Sequence, residues 1–362
     1  MAYQNVGTPR FFIDYFQFAM ATATGSPYND APFGLNASKQ YSFGTGTPYH
    51  TEEGVPYYKT FKAFDFTGGI PKLNYVAILG HNLGAFGTGG FHMRLDSVSD
   101  GVTDDYVERP SDYEIVNADF SDNFNAGYSG FSIIKITEPS TPENANRITF
   151  RIQGSPEADN IKISAFSTGN IYDMPHSPDL KLTMTREMDG VKRIRTKGGA
   201  DLVNHKYTKP SPWGDAGAWE LYTGTPPNHK LSRSGRRVWD LSFSYLQDSD
   251  VFAPTEMLYP VILDTSGTNA FDGTNWAHWG GGQGYAEGDY WFENMRFLAH
   301  DDFYTQVIHK TNGGQLPFIF QPDKDNNNPD QFAICKLDMK SFKFSQVANG
   351  VYNIKLKIRE VW

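Results

Sequence analysis

Asn349-Gly350-Val351-Tyr352-Asn353-Ile354-Lys355-Leu356-Lys357-Ile358-Arg359 is the stretch whose reading decides the fold class. Tyr352, Ile354, Leu356 and Ile358 alternate with Asn353, Lys355, Lys357 and Arg359. Successive residues of a strand point to opposite faces, so this segment has one apolar face and one charged face. Asn-Gly ahead of it is a strong hairpin signal, because both residues tolerate the positive φ of a type I′ turn. The spacing predicts that 341–347 pairs with 351–358.

The same period of two recurs along the chain. Ile148, Phe150 and Ile152 alternate with Thr149, Arg151 and Gln153, and Leu180, Leu182 and Met184 alternate with Lys181, Thr183 and Thr185. Trp239, Leu241, Phe243 and Tyr245 form an aromatic face opposite Asp240, Ser242 and Ser244. One helix is expected over 301–312. Asp301 and Asp302 suit the positive end of the helix dipole, Phe303 and Val307 share a face, and Asn312-Gly313-Gly314 stops the run. The expected fold class is mainly β.

Composition agrees. Aromatic residues make up 15% of the 362, enough to fill a large core and to exclude wholesale disorder. The net charge of −9 argues against wrapping nucleic acid. No apolar run approaches the roughly 18 residues of a membrane helix. The opening Met1-Ala2-Tyr3-Gln4-Asn5-Val6 lacks the basic and apolar regions of a signal peptide, so synthesis in a reducing cytoplasm is expected. The single cysteine, Cys335, allows no internal disulfide and is expected to be a small buried apolar residue.

Length favours two domains, and charge suggests where they divide. Residues 1–165 hold 11 Lys/Arg against 18 Asp/Glu, whereas 166–362 hold 21 against 23. Nine acids fall within 96–122, and eight Lys/Arg fall within 181–209. Ser167-Thr168-Gly169-Asn170 and Met174-Pro175-His176-Ser177-Pro178 have linker chemistry. The expected division is 1–168 and 169–362.

Candidate chemistry is sparse. Asp323-Lys324-Asp325-Asn326-Asn327-Asn328 opens like a calcium loop, but position six is Asn and position twelve is Ile334, so a solvated hairpin tip is favoured. Gly87-Thr88-Gly89-Gly90 and Gly280-Gly281-Gly282 fit no phosphate-binding pattern. The nine histidines have no metal-ligand spacing, so no metal and no cofactor are expected. No nucleophile elbow or carboxylate pair stands out, and the protein is expected not to be an enzyme. His81 follows the apolar run Ala77-Ile78-Leu79, where it caps a loop or contacts a ligand. The Gly-rich stretch 266–294 carries Trp276, Trp279 and Trp291, which mark either a ligand or partner contact or a packing arm. The basic stretch holding Arg186, Lys192, Arg193 and Arg195 is a candidate subunit interface, because an acidic surface lies elsewhere on the same chain. Phosphate contact and a plainly solvated face are its other readings.

Several segments resemble a family of bacteriophage virion proteins. They are Gly7-Thr8-Pro9-Arg10-Phe11-Phe12-Ile13-Asp14-Tyr15, Asn74-Tyr75-Val76-Ala77-Ile78-Leu79-Gly80-His81-Asn82-Leu83, and Asp189-Gly190-Val191-Lys192-Arg193 with Gly217-Ala218-Trp219-Glu220-Leu221. Arg236-Arg237-Val238-Trp239-Asp240-Leu241-Ser242-Phe243 and the terminal Tyr352 to Trp362 complete the set. The second segment looks like a strand of the galactose-binding-like jelly rolls appended to phage tail proteins. The order of the others resembles the tail-tube-like β-barrel of distal tail and baseplate proteins in long-tailed phages.

This resemblance implies a jelly roll in 1–168 and a barrel with one helix in 169–362. It implies a ring, a hexamer in this family, that joins the tail tube to the baseplate or fibres. Tail-tube, tail-hub and fibre proteins would be its partners, and the virion tail tip, assembled in the host cytoplasm, its location. Neither membrane insertion nor sequence-specific nucleic-acid binding is implied. Here the jelly roll precedes the barrel, whereas many members carry it after or inside, which leaves the tail position open. Two rivals stay open as well: an adhesin that binds host surface glycan through the jelly roll and the Trp-rich loop, and a polysaccharide depolymerase.

Overall fold

The computed structural model describes residues 6–22, 25–27, 33–35, 41–44, 58–66, 73–81, 90–96, 113–119, 130–136, 147–153, 160–187, 192–204, 212–213, 216–217, 236–252, 302–327 and 331–361. These residues form a mainly β protein whose sheets are antiparallel. Strands are numbered in chain order. The largest sheet has ten strands. From one edge, its path begins β12 (Thr183–Glu187), β17 (Arg236–Gln247), β21 (Val351–Glu360) and β19 (Ala333–Leu337). It continues through β18 (Phe318–Gln321), β1 (Arg10–Asp14), β11 (Ala165–Asp173), β5 (Tyr75–His81) and β8 (Gly130–Lys135), and β20 (Phe344–Ala348) also pairs with β21.

A five-stranded sheet runs β2 (Gly25–Pro27), β4 (Tyr58–Phe66), β9 (Arg147–Gln153), β6 (Gly90–Asp96), β7 (Tyr113–Asp119). Three strand pairs stand apart: β3 (Tyr41–Gly44) with β10 (Asn160–Ile163), β13 (Lys192–Arg195) with β14 (Asp201–Asn204), and β15 (Pro212–Trp213) with β16 (Ala216–Gly217). Helix α1 (Tyr15–Thr22) follows β1 directly, and α2 (Asp248–Val251) follows β17.

The alternating patterns become core where both neighbours are present. Met93, Ile148 and Phe150 of the five-stranded sheet share one buried cluster with Val76, Ile78, Ile134 and Phe166 of the large sheet. Phe150 and Phe166 stack with centroids 4.6 Å apart. The cluster runs on through Phe11, Phe318 and Phe320 to Trp239, Phe243, Ile354 and Ile358. Phe12, Tyr75, Ala77, Leu79, Ile319 and Ile334 fill a second cluster. All seven residues of β5 are buried, as expected of a strand with both faces covered.

The terminal hairpin forms, with β20 paired to β21 through Ala348↔Val351. Its turn is not type I′, since Gly350 has φ 67° and Asn349 is absent from the positive-φ residues. The register slips by a bulge between Gln346 and Ala348. The expected helix is present over Tyr304–His309 with π hydrogen bonding. The Asp302 carboxylate accepts from the Thr305 amide (2.8 Å), and Asn312, Gly313 and Gly314 at φ 51°, 67° and 81° end the run. Cys335 is buried, as expected.

Three expectations need correction. Ser167-Thr168-Gly169-Asn170 is not a linker but the middle of β11, with Ser167 and Thr168 buried. The Thr168 hydroxyl donates to the Tyr75 carbonyl (2.7 Å). Gly169 lies opposite Asp14, and a Cβ there would collide with the Ile13 carbonyl and with Tyr15. The division expected at 168/169 therefore falls inside a continuous strand. Second, Tyr245 does not join the aromatic face. A bulge between Phe243 and Leu246 turns Tyr245 outward at φ 63° and puts Leu246 in the core instead. Third, Leu180 and Met184 do not form a buried face, because among the described residues β12 is an edge strand whose side chains lie mostly in solvent.

Candidate functional site

Of the expected interface residues, Arg186 lies on β12 of the large sheet, and Lys192, Arg193 and Arg195 lie on β13 of a separate two-stranded ribbon. The β12 edge is anchored from inside by ion pairs on its neighbours. Arg237 of β17 holds Glu360 of β21 in a bidentate pair (3.1 and 3.0 Å) and also donates to the Phe332 carbonyl (2.9 Å). Its guanidinium lies 5.2 Å from the Trp239 ring centroid. Both partners of this pair are buried, so neither charge is free to reach another molecule. Glu187 at the end of β12 pairs with Arg359 (2.7 Å). Arg186, opposite Arg237 in register, is exposed.

Further along the chain, from Lys192, comes the β13–β14 hairpin. Its turn is built locally. The Thr196 amide donates to the Ala200 carbonyl (2.9 Å), the Ala200 amide to Thr196 Oγ1 (3.0 Å), and Gly199 supplies φ 84°. Register places Ile194 opposite Leu202, Arg193 opposite Val203, and Arg195 opposite Asp201. Directly opposed residues share a face, so one face centres on Ile194 and Leu202 and the other on Arg193 and Arg195. Ile194 is 52% exposed and Leu202 58%. All four residues of β13 are exposed.

His81 lies elsewhere and is not part of this surface. It is buried at a bulge where β5 meets β8, with its Nε2 2.9 Å from Ser132 Oγ, and serves the sheet interior. Trp276, Trp279 and Trp291 lie outside the described residues. Thus the structure brings Lys192, Arg193 and Arg195 together on one exposed strand, leaves Arg186 on a different sheet, and buries His81 in the sheet interior.

A second polar constellation was missed in the sequence. Asp14 is buried at the junction of β1 and α1, where its Oδ1 accepts from the Phe16 amide (2.9 Å) and its Oδ2 from the Leu35 amide (2.7 Å). Burial pushes its carboxyl up to about 7, against the opposing pull of those amides, the Gln17 amide and Ser167. Burial, reinforced by Asp14, also raises the Tyr75 hydroxyl well above its ordinary range. Beyond Tyr15, the buried Lys310 donates to Tyr15 Oη and Gln306 Oε1, both at 2.7 Å. Gln306 accepts from Asn170 (2.9 Å), which accepts in turn from Asn74 (2.6 Å). This chain of amides ties the π-helix to β11. The one available signal was an aspartate directly ahead of a helix, which is N-cap chemistry. Its packing role is structural.

Residues 323–327 of the Asp323–Asn328 stretch form a tight turn beyond β18, and Asn328 lies outside the described residues. The Asp323 carboxylate accepts from the Asp325 amide (3.1 Å), and Gln321 Nε2 donates to the Asn326 carbonyl (3.0 Å). Among the described residues, no group of three or more His, Cys, Asp or Glu could hold a metal ion. No described helix is long and apolar enough to cross a membrane.

No family model matches the chain, and no curated protein matches it. A solved structure described as "Truncated AlyQ with CBM32 and alginate lyase domains" is similar at 12% identity, over 67% of this chain and 50% of that one. Its TM-score is 0.24, too low for an argument about fold or function.

Proposed function

We propose that this chain is a structural virion protein of the tail tip of a long-tailed bacteriophage. In this reading it is a distal tail or baseplate component that assembles into a ring, a hexamer by the family resemblance, between tail tube and baseplate or fibres. It works by shape and association, not by turnover, and it needs no cofactor. The observation that carries the reading is the exposed basic hairpin that follows the edge strand β12 along a chain of net charge −9. A head-to-tail ring needs two different, complementary surfaces on one chain, and a basic arm on an acidic protein supplies one of them. Of the motif segments, Arg236–Gln247 (β17) and Val351–Glu360 (β21) pair with each other, as the terminal part of the resemblance leads one to expect. Tyr75–His81 (β5), expected in a separate jelly roll, joins the same sheet.

The test is the shape and mass of the purified full chain, by negative-stain imaging and light scattering. Closed six-fold rings are expected. A monomer at every concentration that binds a glycan array would replace this reading with the adhesin. Release of product from a host polysaccharide would replace it with the depolymerase.

A further inference from the structure

We infer that the β13–β14 hairpin, together with the β12 edge, is an arm that docks onto a second copy of this chain. The inference rests on the ring reading above and assigns its contact surface. A two-stranded ribbon is marginal in water on its own. Among the described residues, β13 and β14 pair only with each other, so both long edges of the ribbon lack a strand partner there. Its central cross-strand pair, Ile194 and Leu202, is more than half exposed. The neighbouring β12 pairs only with β17 among the described residues. Beside it Leu180 is 87% exposed and Met184 51%. Five chain steps from Glu187 to Lys192 reach at most about 18 Å, which limits how far the arm can lie from the edge. Exposed apolar side chains on unpaired strand edges are what a further chain covers.

Charge selects the occupant. The hairpin and its turn hold Lys192, Arg193, Arg195 and Lys197 against Asp201, while the whole chain is at −9. The remainder of the chain is therefore more acidic than the whole, and a second copy offers this arm an attractive surface. A nucleic acid or other polyanion would meet the same arm but would be repelled by the rest of the molecule. The docked arm sets its Ile194–Leu202 face on the partner's apolar surface and its Arg193–Arg195 face against the partner's acids.

Two measurements on the full-length protein test this. In the first, Ile194→Cys is labelled with a maleimide. The native Cys335 is buried and its thiol is pushed well up, mainly by burial, so it stays silent. The introduced thiol is expected to react at least about tenfold more slowly in the assembled protein than in the dilute monomer. Equal rates would overturn the arm. In the second, Arg193→Glu/Arg195→Glu and the milder Arg193→Gln/Arg195→Gln are sized by sedimentation velocity, with tryptophan fluorescence to confirm that each monomer is folded. At least about tenfold more protein should be needed for assembly of the Glu variant, and less for the Gln variant. Unchanged rings in both would remove the arm from the interface and leave the ring standing. A wild type that never assembles would overturn ring and arm together. A DNA duplex or a host polysaccharide that protects the introduced thiol of monomeric protein would overturn the choice of occupant.

Discussion

The β5–β11 pair and the β13–β14 pair are both antiparallel ladders in good register, yet they are opposite structures. In the first, every β5 side chain is buried, and β11 adds Phe166 to an aromatic stack. In the second, every β13 side chain is exposed. Backbone pairing is common to both, so it is not what separates core from arm. The difference is whether a second layer covers the face. A ladder with a layer above it is stabilised by burial, and one without is held mainly by its turn.

The largest effect that would break this comparison is on the buried side. Phe166→Ala should cost about 3–5 kcal/mol in urea unfolding, because it removes a stacked ring from a site with no solvent to refill it. A loss below about 1 kcal/mol would mean that the two layers are not packed as described.

A smaller, pH-dependent effect comes from Asp14 beside the same pair. Its carboxyl stands at about 7 in the folded protein against 3.8 as the ordinary value. The native state thus takes up this proton before the unfolded state does. The group's contribution to stability is full below about pH 4 and is lost as pH rises through 7. Compared with Asp14→Asn, the wild type should gain stability as pH falls from 7 to 5, by at most about 1.4 kcal/mol per unit. Denaturation at four pH values measures the difference, and a flat difference would refute the burial of this charge.

The smallest effect belongs to the arm. Ile194→Ala in unassembled protein should change stability by no more than about 0.5 kcal/mol, as for other exposed positions. A loss like that of Phe166→Ala would show that the hairpin is covered by its own chain.

Much of the β architecture was legible because alternation is local. Tyr352, Ile354, Leu356 and Ile358 are all buried, as their spacing says, and so are Ile148 and Phe150. What failed depends on neighbours in space. Leu180 and Met184 alternate like core residues but sit beside an edge, and no local pattern distinguishes an edge from a centre. Ser167 to Asn170 looks like a linker because small and polar residues make good turns. Here Gly169 is small because Ile13 and Tyr15 approach it, and Ser167 is polar because the Tyr75 hydroxyl lies 2.9 Å away. In the candidate site, the positive charge of Arg193 and Arg195 was readable. That Ile194 and Leu202 share the opposite face required the register across the turn. Asp14 is unremarkable in sequence, because its burial is completed by Leu35 and by Ser167, more than 150 positions away.

One feature of the sheet bears on how the chain is made. β1 lies between β11 and β18, so Arg10 to Asp14 pairs with 169–173, and Arg10 to Phe12 also pairs with 319–321. Within this chain β1 is therefore synthesised long before the second of its two neighbours. Its outer edge stays unpaired until some three hundred further residues have been synthesised. At about 5–20 residues per second this is a wait on the order of tens of seconds, during which Phe11 and Phe12 lack one flank of their final packing. Contacts so distant in sequence slow folding, and the nascent chain is exposed to aggregation until β18 arrives.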